Sequence, residues 1–93
     1  MNKDLEQIVN VVAEQTELRP VQILGKRRFQ EVTDARWMVV YLLREKGYYP
    51  SQIAAWMSMT PRNVNLILSS MHDRLKYEKH LRSNLESARN NLF

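Results

Sequence analysis

Apolar residues recur along this chain at helical spacing almost from the first residue. In "NKDLEQIVNVVAEQ", Leu5, Ile8, Val9 and Val12 fall three and four apart on one face, which predicts a first helix. "TELRPVQILGK" offers a threonine start, an early proline and a terminal Gly25, so a short second helix closing in a left-handed cap is expected. From Thr33 to Lys46, Ala35, Met38, Val39, Leu42 and Leu43 share a face that stops before Gly47, and this broad stripe belongs at the centre of the core. "YYPSQIAAWMS" restarts with Pro50 at a first helical position and turns Ile53, Ala54 and Met57 inward. After Thr60 the stripe Val64, Ile67, Leu68, Met71 and Leu75 leads into a polar helical stretch ending "NLESARNNLF". Strand-like alternation, internal repeats and long linkers are all absent. The fold class expected is all-α, a compact bundle of five or six helices with an extended C-terminal helix. Residues 1–75 make its body, and 76–93 are a helical extension of the same domain.

The segments 50–58 and 60 to about 75 are the most informative neighbours. A connection of two or three residues is too short for antiparallel stacking, so the two should cross as a helix-turn-helix. Ala54 is small where the second helix must approach. Ser58 occupies the turn position that many such motifs give to glycine. Thr60 can cap and Pro61 can open the second helix. With Val64, Ile67 and Leu68 committed to packing, Thr60, Arg62, Asn63 and Asn65 are left facing outward. Arginine pairs bidentately with guanine and asparagine with adenine, so these side chains suit base reading in a major groove. A helix-turn-helix used only as a packing unit is the alternative.

Charge sharpens this picture. The net charge is +4, and it is unevenly spread. Residues 1–25 set Lys3 and Arg19 against Asp4, Glu6, Glu14 and Glu17 for −2, whereas residues 26–46 set six bases against three acids for +3. Arg62 is the only charge in 47–71, and the tail from 72 carries +2. Positive charge thus begins abruptly at "GKRRF", as a polyanion partner would require, although a solvated basic surface has the same look. At 93 residues, 44% hydrophobic and 26% charged, the chain has the makeup of one small globular domain. Without cysteine it forms no disulfide and no thiolate metal site. No apolar run is long enough to span a bilayer and "MNKDLEQIVN" has no signal-peptide core, so a cytoplasmic location is expected, with no membrane partner.

The stretch "VVAEQTELRPVQILGKRRFQEVTDARWMVVYLLREKGYYPSQIAAWMSMTPRNVNLIL" resembles the C-terminal DNA-binding domain of the bacterial chromosomal replication initiator DnaA, a Trp-repressor-like helical fold. "ILGKRR", the "AR" at 35 and 36, "YLLRE" at 41–45 and the helix-turn-helix that follows carry the likeness in order and spacing. The resemblance implies three surfaces on double-stranded DNA. The basic loop, with Lys26, Arg27 and Arg28, would address a minor groove, and Gln30 stands where the family inserts an arginine. Arg36 matches a phosphate-contacting arginine, while Tyr49 and Ser51 match positions that present polar groups to the backbone. In the reading helix the family's Arg-Asp-His-Thr-Thr-Val is replaced by "MTPRNV", and the turn leading into it is one residue shorter if Val64 is the matching valine. Pro61, Arg62 and Asn63 stand in for His-Thr-Thr, so the docking mode carries over and the base preference does not.

Other chemistry finds little support. Two glycines cannot build the phosphate loop of an ATPase, so a stand-alone regulator or replication accessory module is expected, by analogy one carried by a phage or mobile element. His72 and His80, eight residues apart, are too far separated to share a metal and read as surface residues. No nucleophile or carboxylate pair suggests an enzyme, and no cofactor or small-molecule substrate is implied. Trp37 and Trp56 are expected to be partly buried, with Met38, Met57, Met59 and Met71 filling the core. Single-stranded nucleic-acid binding would need exposed aromatics, of which Tyr48 and Tyr49 are the adjacent pair. Leu81, Leu85, Ala88 and Leu92 form a sparse C-terminal stripe that either pairs two subunits into a homodimer or folds back on the first helix. A helical protein-interaction adaptor without DNA readout is the competing function.

Overall fold

Helix starts are written into the sequence by proline and by side chains that reach back to the backbone. The computed structural model describes residues 2–93, and all its regular structure is helical: α1 (Lys3–Thr16), α2 (Pro20–Leu24), α3 (Gln30–Glu45), α4 (Pro50–Trp56), α5 (Pro61–Tyr77) and α6 (Lys79–Leu92). Asn2 Oδ1 accepts from the N–H groups of Asp4 and Leu5 at 2.7 and 3.1 Å to open α1. Helices α2 and α4 share another start: proline follows the cap residue, and a glutamine three residues on accepts the cap residue's N–H, Arg19 to Gln22 Oε1 at 2.8 Å and Tyr49 to Gln52 Oε1 at 2.9 Å. For α5 the expected threonine cap forms, with Thr60 Oγ1 accepting from Asn63 N at 3.1 Å ahead of Pro61.

Helix ends follow one device three times. Glu17, Gly47 and Ser58 have positive φ of 60°, 103° and 55°, and the N–H of the next residue reaches back to a carbonyl of the last turn. These bonds run from Leu18 to Ala13, from Tyr48 to Leu43 and from Met59 to Ala54, at 3.0, 3.2 and 3.0 Å. Leu18, Tyr48 and Met59 each then pack against the core, fixing the direction in which the chain leaves.

Several boundaries differ from expectation. Thr16 closes α1, its hydroxyl donating to Val12 O at 2.7 Å, and does not start α2. Gly25 is extended, at φ −78° and ψ −169°, so α2 has no left-handed cap; a Cβ there would sit 3.1 Å from the carbonyl oxygen of Val21, a tight contact that glycine avoids. Helix α3 starts three residues before Thr33, with Phe29 as its cap, which moves Gln30 out of the loop and into the helix. Four residues, Met57 to Thr60, separate α4 from α5, against the expected two or three.

Helix α3 is the hub. It touches α1, α2, α4 and α5, and its inward residues Ala35, Met38, Val39, Leu42 and Leu43 are all fully buried. The helical pattern expected past Leu75 breaks for one residue at Glu78 (φ −99°, ψ 91°), and α6 turns back along α1. Leu81, Leu85, Ala88 and Leu92 are buried in the same core as Leu5, Ile8 and Val12. Of the two uses weighed for the C-terminal stripe, folding back is the one adopted, and a homodimer seam would have to lie elsewhere. Arg82 Nη1 donates to Leu75 O at 3.0 Å, satisfying a carbonyl left open by the break. His72 and His80 sit on α5 and α6, both exposed. Both tryptophans are half-buried, Trp56 edge-on to Tyr48 at 4.9 Å and Trp37 beneath the Arg74 guanidinium at 5.4 Å.

Candidate nucleic-acid interface

The basic loop is short, and one side chain from α3 gives it its shape. Arg36 Nε donates to Ile23 O at 2.9 Å, and Nη2 donates to Gly25 O and, at 3.2 Å, to Arg27 O. Three carbonyls from the end of α2 and the following loop therefore converge on one guanidinium. Partial burial, and then the positive charge of Arg28, pull the Arg36 pKa below its ordinary value. With its backbone held from inside, the loop presents Lys26, Arg27 and Arg28 to solvent.

Beside it, the α4–α5 connection brings up the start of α5. Lys26, Arg28 and Arg36 line one side of a groove of about 280 Å³, and Met57, Ser58 and Asn63 line another. Four of the residues singled out from the sequence, Lys26, Arg28, Arg36 and Asn63, thus share one concavity. Asn63 Nδ2 approaches Met59 Sδ at 3.8 Å, and its backbone N–H is held by Thr60. Thr60, Arg62 and Asn65 are exposed along the first turns of α5, and Tyr49 and Ser51 are exposed at the start of α4. Arg27 borders a separate hollow with Arg19 and Val21.

Gln30 is not among these groove residues. Its Nε2 donates to Asp34 Oδ1 at 2.8 Å, and residues two apart on a helix point in nearly opposite directions, so Asp34 and Gln30 lie across α3 from Arg36. On that far side, Glu31 and Asp34 join Glu17 and Glu78 around a second hollow of about 360 Å³. Helix α3 therefore has the basic groove on one side and, on the other, a hollow whose carboxylates outnumber the single cation, Arg74, that pairs with two of them. The ion pairs among the described residues are Arg74 with Asp34 and Glu78, and Arg89 with Glu45; none engages Lys26, Arg27, Arg28, Arg36 or Arg62. Positive charge around the groove is left without carboxylate partners.

Two exposed apolar residues at this surface escaped the sequence reading. Phe29 is 59% exposed directly after Arg28, and Leu66 is 57% exposed on α5, one turn beyond Arg62. Their signal was present: Phe29 interrupts a basic run, and Leu66 falls off the Val64, Ile67, Met71 stripe. Among the described residues no helix is long and apolar enough to cross a membrane.

No protein-family model matches the chain. A segment of 44 residues, 47% of the chain, is 43% identical to the chromosomal replication initiator protein DnaA of Aliarcobacter butzleri (strain RM4018). The aligned segment amounts to 10% of that protein's length, and over it the two sequences have a DnaA-like relationship.

Proposed function

We propose that this chain binds double-stranded DNA sequence-specifically, through a helix-turn-helix formed by α4 and α5, and acts as a small regulator or replication accessory factor. The observation that carries this reading is the shared groove, in which the unpaired cations of the loop stand next to Asn63 at the start of α5. A loop that holds phosphates and a helix that reads bases need this adjacency, since backbone contacts set the register in which base contacts specify. Thr60, Arg62, Asn63 and Asn65 face the major groove. Lys26, Arg27 and Arg28 hold the neighbouring backbone or enter the minor groove, and Tyr49 and Ser51 contact phosphates from α4. Arg36 serves by shaping the loop. The DnaA-like relationship supports the same class of partner.

Selection of sites from a randomised duplex library, with the winner compared against a scrambled duplex at two salt concentrations, tests the proposal. A recovered motif with an affinity gap supports it. Salt-sensitive binding without a motif reduces the chain to a backbone binder, and no duplex binding favours a protein-interaction adaptor. Within the first outcome, Arg62→Ala should flatten preference at one position by about 1–3 kcal/mol. Arg27→Ala should weaken all duplexes alike and lower the salt slope by about one unit. Equal, uniform losses from both variants would remove the division of labour.

A further inference from the structure

Leu66 is an apolar side chain where α5 is otherwise polar. On an α-helix successive residues turn about 100° and rise about 1.5 Å, so Leu66 stands about 40° round from Arg62 and about 6 Å along the axis. The buried face, formed by Val64, Ile67 and Met71, lies on the other side, leaving Leu66 pointing away from the core. Exposed Arg62, Asn65 and Ser69 surround it. Asp73, about one turn beyond Ser69 on the same side of the helix and also exposed, would be repelled by phosphate, so the part of α5 suited to DNA is its N-terminal half, which contains Leu66.

We propose that Leu66 is a further specificity-determining residue, contacting the 5-methyl group of a thymine in the major groove. This rests on the DNA-reading role of α5 proposed above. The thymine methyl is the apolar feature that B-form base pairs display in that groove, and an aliphatic side chain among arginine and asparagine is the complementary surface. The spacing fixes where it should be found: about 6 Å of helix is under two base-pair steps of about 3.4 Å, so the thymine lies within two base pairs of the guanine read by Arg62.

The test uses the selected site with each thymine replaced singly by deoxyuridine, which removes only the methyl group. Wild-type affinity should fall about fourfold at one position near that guanine, the scale of one methyl group removed from water. Leu66→Ala, whose fold is checked by its circular dichroism melt, should bind the thymine and uracil duplexes equally. If no thymine in the site responds, or if Leu66→Ala weakens both duplexes while keeping the wild-type thymine preference, the inference is overturned and Leu66 acts through packing or contact with a second copy. A wild-type chain that binds the selected site no better than its scramble overturns the proposed function as well, so the two failures are distinguishable.

Discussion

Arg36 and its three carbonyl partners make the loop 26–29 a supported structure. Arg36→Met should lower stability by about 1–3 kcal/mol, the scale of hydrogen bonds to a charged group, as read by urea unfolding. It should also speed amide exchange across the loop and weaken binding to every duplex alike. Unchanged loop exchange would separate Arg36 from loop shape. This role was not legible beforehand, because the bonds run to backbone carbonyls 9 to 13 residues away and any sequence supplies a carbonyl. The exposed positions Thr60, Arg62, Asn63 and Asn65 were legible, since they are what remains at the start of α5 after its apolar stripe is assigned. Ser58 and Glu17, in left-handed conformations that glycine adopts more easily, give a prediction of opposite sign. Ser58→Gly and Glu17→Gly should each stabilise by about 0.5–1 kcal/mol in thermal unfolding.

Among the elements, α1 and the α4–α5 pair were readable from period and punctuation, since proline starts and a threonine cap are strictly local signals. The end of α1 and the break at Glu78 were not. Glu17 adopts a left-handed conformation with no glycine to announce it, and Glu78 interrupts a helix with neither glycine nor proline nearby, so no local signal marks either position. At the break, Arg74 ties three elements together, bonded to Glu78 at 2.6 and 2.8 Å, paired with Asp34 at 2.9 Å and stacked over Trp37. Its hydrogen bond to Glu78 holds that carboxyl below its ordinary value of 4.5 and raises the arginine's own pKa. A carboxyl whose folded pKa is depressed adds stability above its unfolded value and loses it as pH falls through the folded one. The urea midpoint of the wild type should therefore drop more than that of Glu78→Gln as pH is lowered from above the ordinary carboxylate value to well below it, because this contribution is missing throughout in the variant. Parallel acid limbs would leave the Arg74–Glu78 bond without weight in the fold.

For the whole molecule, α6 is structural. Its leucines Leu81, Leu85 and Leu92 close the core over α1, and burying each contributes about 1.5–3 kcal/mol. Their sum approaches the total stability of a small domain, about 5–15 kcal/mol. A chain ending at Glu78 should lose its cooperative thermal transition, and retention of one would show that α1 can be covered without α6. The periodicity that revealed the stripe could not choose its partner, because a dimer seam and an intramolecular seam need the same residues.

The partition made by α3 sets Glu17, Glu31 and the Arg74-paired carboxylates of Asp34 and Glu78, four acids against one base, on one side and Lys26, Arg28 and Arg36 on the other, and so gives the molecule a direction. Near a polyanion such a body feels a torque as well as an attraction. It turns its loop forward before contact, and encounters made acid-side first are turned away. The benefit falls on the rate of association: fewer collisions are wasted than for a chain of equal net charge with its signs mixed. Salt should erase it, because a screening length of about 10 Å at 0.1 M is short against a body 29 Å across.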